Sequence, residues 1–204
     1  LLGGTVVTTS KLGLNPDTLL SMIEDHGVTD MVIVGDAFAR PILAALDEAE
    51  KRGSPYQIDS PKQVTSSGVM WSQQINKGLL RHHDMVLADV MGSTEGGMGS
   101  SVMTREAAAS TAKFELNEGV VVITDDGRFV QPGSGEMGKV ATSAFVPLGY
   151  YKDPEKSAAT FREVEGVRYS FPGDYATVEP DGSITLLGRG SVCINTGGEK
   201  VFPE

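Results

Sequence analysis

The stretch Met91-Gly92-Ser93-Thr94-Glu95-Gly96-Gly97 closes an apolar run, Met85 to Val90, and sets a lone carboxylate among small residues. Gly92 lets backbone approach a ligand closely. The hydroxyls of Ser93 and Thr94 can meet phosphate oxygens, and Glu95 is a hard oxygen donor of the kind magnesium takes. On these seven residues alone, a mobile glycine-rich connection is the plainer reading. Further along, Asp174 follows Phe171-Pro172-Gly173, and Arg189 lies between Gly188 and Gly190. They supply a second carboxylate and a forked donor; a turn aspartate and a solvated strand-end arginine are the alternatives. His82 and His83 beside Asp84 suggest metal ligands, but sequence neighbours point to different sides and no second ligand set stands at the usual spacing. Cys193, with no histidine close in sequence to activate it, reads as a buried strand thiol between Val192 and Ile194.

MGSTEGG, the run FPGDYATVEPDGSITLLGRG (171–190) and the closing SVCINTGGEKVFPE (191–204) together resemble the adenylate-forming superfamily. This group includes acyl-CoA synthetases, luciferases and peptide-synthetase adenylation domains. The wording near the end is most similar to actinobacterial synthetases for fatty acids or steroid side chains, and the likeness extends from Gly3 to the last residue. The resemblance implies an ATP-dependent acid-thiol ligase that turns a carboxylic acid into an acyl-adenylate and passes it to CoA, with Mg²⁺ as cofactor. It implies that Thr94 contacts ATP phosphate, that Glu95 holds Mg²⁺, and that Met91, Gly92 and Ser93 line the nucleotide. Asp174 would accept hydrogen bonds from the ribose hydroxyls, and Arg189 would complete the nucleotide contact. Gly68 and Val69, in Ser66-Ser67-Gly68-Val69-Met70, would lie along adenine; an ordinary strand-to-helix turn is the alternative. Ser191 falls at the family's hinge, and Gly197 and Gly198 near the CoA arm, where a two-glycine hairpin turn is the plainer possibility.

Three departures qualify these roles. Met91 stands where most members have an aromatic residue to stack on adenine. Ser191 replaces the usual hinge Asp or Lys, and Val69 and Met70 replace an Ala-Pro pair. Two further functions stay open: an adenylation domain or acyl-AMP ligase that loads a carrier protein, and a non-catalytic nucleotide-binding remnant.

The family's members are much longer than 204 residues, and this chain opens on Leu1 instead of methionine. It is therefore expected to be a fragment of the large N-terminal domain, inactive alone. A formal charge of -10 without clustered Lys and Arg argues against nucleic-acid binding. No apolar run approaches the roughly 20 residues a membrane-spanning helix needs. A cytoplasmic protein is expected, and the resemblance allows a homodimer and peripheral contact with a membrane.

These residues need elements to position them. Through the first half, strand-like and helix-like segments alternate: 4–8, a helix after Asn15-Pro16 stopped by Gly27, strand 29–34, a helix capped by Asp36 with Pro41 inside its pattern, strand 63–65, helix 72–80 and strand 84–90. That alternation predicts an α/β fold, a mostly parallel sheet flanked by helices, with ligands at the carboxyl ends of strands. Beyond about Ser110, short strands and tight turns predict a small β-barrel-like subdomain, including 120–124, 129–131, 138–143, 175–178 and 183–187, plus a short helix capped by Asp153. The expected division is an α/β subdomain over 1–110, a β-rich subdomain over 111–189, and a hinge with the start of a further domain over 190–204.

Overall fold

A computed structural model describes residues 3–10, 12–69, 71–107 and 112–190, and the backbone of 194–195 and 200–201. The chain divides into two compact units: 1–89 with 102–111, and 90–101 with 112–204. Among the described residues, no helix is long and apolar enough to cross a membrane.

In the first unit, helix α1 (Pro16–His26) starts where Asn15 Oδ1 accepts the Thr18 N–H at 2.9 Å. It stops at Gly27, whose φ of 59° suits a residue without Cβ. Strand β1 (Asp30–Ile33) leads into α2 (Gly35–Lys51), which contains Pro41 without ending there. Asp36 is not the cap that the sequence suggests. The Gly35 N–H is instead met by the fully buried Ser66 hydroxyl at 3.0 Å. Asp36, one residue into the helix, accepts from Arg40 at 2.7 Å and from the Ser72 N–H at 2.9 Å. Strand β2 (Gln63–Ser67) runs parallel to β1, and α3 (Gln73–His82) returns the chain to β3 (Val86–Ser93), beside β2. Apolar faces of α1, α2 and α3 close on the strands around Leu20, Ile42, Leu46, Val64, Leu79 and Leu87. Trp71, 3% exposed, packs into the same core.

Strands β3 and β4 (Gly96–Met103) both cross the boundary between the units. The second unit continues with β5 (Lys113–Leu116), β6 (Val120–Ile123) and β7 (Met137–Thr142). It then adds helix α4 (Pro154–Thr160), β8 (Phe161–Val164), β9 (Val167–Ser170), β10 (Asp174–Val178) and β11 (Ile184–Arg189). A short backbone pair follows, β12 (Ile194–Asn195) with β13 (Lys200–Val201). The strand order is β4-β5-β11-β10-β7-β9-β8, with β6 on β7, and neighbours from β5 onward run antiparallel. The sheet is thus mixed, and its parallel character lies with β1 and β2. A strand that reverses in two residues must pair antiparallel with its successor, as β8 does with β9. Glu165 and Gly166, at φ of 51° and 78°, make such a turn between β8 and β9.

Close strand contact makes one glycine intolerant of change. A Cβ on Gly138 would stand 2.7 Å from the Ile123 carbonyl oxygen and 2.8 Å from its carbon, both backbone atoms of the adjacent strand. Gly138→Ala in the full-length protein should therefore destabilise by about 1–3 kcal/mol, the usual cost of overpacking. A thermal melt unchanged from wild type would show that β6 can move aside.

Candidate active site

The MGSTEGG run is a β-hairpin rather than an open loop. Met91, Gly92 and Ser93 finish β3, Thr94 and Glu95 make a two-residue turn, and Gly96 and Gly97 begin β4. The hairpin belongs to the β-rich unit and not to the α/β part expected over 1–110, because Met91 and Met98 both point into that unit's core with Phe114, Val122 and Ile184. The Met91 side chain is 8% exposed and packs against that core. A Cβ on Gly96 would meet Thr142 Cγ2 at 2.8 Å, and the Ser170 hydroxyl donates to the Glu95 carbonyl at 3.2 Å. The turn is thereby tied to β7 and β9.

Glu95 is half-buried, while Thr94 is exposed beside it. Its carboxylate accepts the Tyr150 hydroxyl proton, and its N–H reaches the Ser93 hydroxyl at 3.2 Å. The Tyr150 hydrogen bond, helped by Ser93, by the backbone and by the positive charge of Lys156, holds the Glu95 carboxyl below the ordinary glutamate range against the opposing pull of burial.

Asp174 opens β10 and Arg189 closes β11. The two strands pair Thr177 with Thr185 and Ala176 with Leu186, and then slip by one residue, so that Tyr175 faces Gly188 and Asp174 faces Arg189. Without that bulge, Gly188 would stand opposite Asp174 and the guanidinium would project on the other face. Arg189 Nε lies 3.5 Å from Asp174 Oδ1, the carboxylate side chain 19% exposed and the guanidinium 55%. Burial pushes the Asp174 carboxyl above the usual aspartate range; Arg189 opposes this shift and the negative charge of Glu95 adds to it. The second unit thus holds the Asp174–Arg189 pair and, at its hairpin tip, Glu95, the Glu95 carboxyl shifted below its ordinary range and the Asp174 carboxyl above it.

Gly68 and Val69 belong to the first unit, where they follow β2. Gly68 has a φ of 91° and Val69 is 52% exposed. Ser191, Gly197 and Gly198, like Met70 and Cys193, lie outside the described residues. The two histidines face different partners. His83 Nε2 meets the Pro61 carbonyl at 2.8 Å, and His82 lies against Asp47 and Glu50. Ligand atoms of Asp47, Glu50 and His82 fall within 4.8 Å of one another. The Arg81 guanidinium already reaches Asp47, and it stands 3.2 Å from His82 Nε2. A positive charge thus fills that cluster, which ties α2 to α3.

Sequence reasoning missed Tyr150, Ser170 and Lys156. The segment Tyr150-Tyr151-Lys152-Asp153-Pro154 announces a helix start, and Asp153 does cap α4 by accepting the Lys156 N–H at 3.0 Å. Nothing local signals that the tyrosine beside it reaches a carboxylate 55 residues away.

No family model matches the chain. It is 42% identical, over 99% of its own length, to a medium/long-chain-fatty-acid--CoA/3-oxocholest-4-en-26-oate--CoA ligase of Mycolicibacterium smegmatis. It is 45% identical over 90% of its length to a 3-oxocholest-4-en-26-oate--CoA ligase of Rhodococcus rhodochrous. The chain spans 37% and 34% of those two relatives, about a third of each. Among solved structures, the anthranilate CoA ligase AuaEII, in complex with anthranoyl-AMP, shares the fold with a TM-score of 0.72. That match has 22% identity and covers 92% of this chain and 35% of the other.

Proposed function

The chain belongs to the adenylate-forming superfamily, among the acyl-CoA ligases, and we propose that the protein containing it activates a carboxylic acid with ATP and transfers the acyl group to CoA. The observation that carries this reading is the pairing of Asp174 with Arg189 at 3.5 Å across β10 and β11, in the same compact unit as the Glu95 hairpin. A fatty or steroid-side-chain acid is the favoured substrate class, in keeping with the names of the relatives at 42% and 45% identity.

In the first step a carboxylate oxygen attacks the α-phosphorus of ATP, giving acyl-adenylate and pyrophosphate. In the second the CoA thiol attacks the acyl carbon, giving thioester and AMP. Activation replaces a poor leaving group, oxide or hydroxide, with AMP. Asp174 offers the ribose two acceptor oxygens, and Arg189 holds that carboxylate in place and adds a forked donor. Thr94, exposed at the turn, presents its hydroxyl to phosphate, with Gly92 and Ser93 leaving room for the approach. The resemblance would further assign Gly68 and Val69 to adenine, Ser191 to the hinge, and Gly197 and Gly198 to the CoA arm.

Magnesium fits the residues present. Glu95 is an ionised hard oxygen donor at a hairpin tip, held by donors that favour its charged form. When bound, the ion neutralises charge on the phosphates as pyrophosphate departs. A cytoplasmic setting goes with this reading.

Exchange of radiolabelled pyrophosphate into ATP by the full-length protein tests the first half-reaction, and formation of acyl-CoA the second. Fatty and steroid-side-chain acids should each be tried, with a phosphopantetheinylated carrier protein as the competing thiol. Acid-dependent exchange followed by thioester on CoA is expected. Absence of exchange with every acid would reject the adenylating role, and transfer to carrier alone would replace the ligase reading with a loading enzyme.

A further inference from the structure

Glu95 stands at the tip of a two-residue turn, where a side chain ordinarily samples several rotamers, yet here it is pinned from outside the hairpin. The Tyr150 hydroxyl donates to Glu95 Oε1. A carboxylate offers about four lone-pair sites, so this bond leaves oxygen capacity for an ion. Tyr150 is itself fixed on several sides. Its N–H donates to Ser157 Oγ at 2.8 Å, and that hydroxyl donates to the Asp153 carbonyl at 2.6 Å. Lys156 Nζ lies 4.2 Å from the ring centroid, and the Phe161 ring lies 5.4 Å away. The first turn of α4 therefore grips the ring from one side while its hydroxyl reaches the hairpin tip. Such an arrangement costs side-chain freedom in advance, which a merely packed surface tyrosine does not require.

We propose that Tyr150 is a positioning residue for Glu95, holding the carboxylate in the one rotamer from which its remaining lone pairs face the metal bound with ATP. The proposal rests on the reading of Glu95 as the magnesium-bearing residue. Hydrogen bonds to ligating carboxylates generally orient them, and their loss lowers metal affinity by about 10- to 100-fold. Tyr150→Phe keeps the ring against Lys156 and Phe161 and removes only the donor.

The experiment is manganese binding to the full-length protein, read by electron paramagnetic resonance with a non-hydrolysable ATP analogue present, so that no turnover is needed. Y150F should raise the Kd for Mn²⁺ by about 10-fold. It should raise the Mg²⁺ activation constant by the same factor, with KM for the acid unmoved. Glu95→Gln measured alongside separates the two readings. If E95Q weakens the metal and Y150F does not, the positioning role is wrong and the tyrosine only staples the hairpin to α4. If neither variant changes manganese affinity, the assignment of Glu95 itself fails. Ser157→Ala, which releases the Tyr150 backbone while leaving every ring in place, provides a second arm should Y150F not fold. It should give a smaller rise in Kd in the same direction, and none would overturn the proposal.

Discussion

Glu95→Gln in the full-length protein is expected to lower kcat/KM for MgATP by about 10²- to 10³-fold, the scale seen when one preorganised electrostatic contact to a developing charge is removed. The amide is nearly isosteric and its oxygen can still accept the Tyr150 hydroxyl, so the hairpin should survive. What disappears is the negative charge. Stability should move as well, in a defined direction. The folded-state pKa of Glu95 lies below the ordinary value, so its ionised form stabilises the fold above that ordinary value, and the contribution is lost as pH falls through the lowered pKa. The Gln variant should accordingly melt slightly below wild type at neutral pH, and the difference should vanish in acid. Steady-state kinetics with a melt at two pH values checks both statements. Retention of full kcat/KM would remove Glu95 from the site.

Asp174→Asn should raise KM for ATP by about 10- to 100-fold, since hydrogen bonds to a charged group contribute roughly 1.5–3 kcal/mol and the amide keeps only one acceptor oxygen. Its effect on stability carries the opposite sign. Burial lifts the folded-state pKa of Asp174 above the ordinary value, which means that the folded protein holds this proton more tightly than the unfolded chain and that ionisation costs stability above that pKa. The Asn variant should therefore melt above wild type at neutral pH while binding nucleotide worse. Wild-type affinity for ATP should also weaken on acidification sooner than an ordinary aspartate would cause, and the Asn variant should lose that part of the pH profile. A lower melting temperature together with an unchanged KM would show that Asp174 serves the fold and not the ligand. The two carboxylates thus make a paired test. Both substitutions cost activity, and one should lose stability where the other gains it.

Much of this was legible in the sequence for local reasons. Asn15-Pro16 and Asp153-Pro154 announced helix starts because a capping oxygen and a preset φ act within one turn of chain. Gly27 marked a stop for the same reason. Elements whose evidence is tertiary were missed or displaced. β4 is not expected from the sequence, yet it is a strand, and the close approach of Glu115 backbone to Gly99 favours a small residue there. The β8–β9 hairpin turns on Glu165, a residue that propensity alone would not place at positive φ. The cap on α2 passed from Asp36 to Ser66, 31 positions from the N–H it satisfies.

The sequence by itself determined the candidate chemistry: which side chains carry charge, that Glu95 and Asp174 each follow glycine-bearing turns or strand ends, and that Arg189 is flanked by residues without bulk. Identity and neighbours settle these because they depend on covalent structure and on torsions within a few residues. Tertiary structure alone decided which of those groups meet. The slip between Tyr175 and Ala176 turned Arg189 onto the face of Asp174, and Tyr150 closed on Glu95 across four intervening strands of chain. Strand register has a period of two, so one extra residue exchanges the faces. That exchange is fixed by packing and pairing across the sheet, where no local propensity reaches.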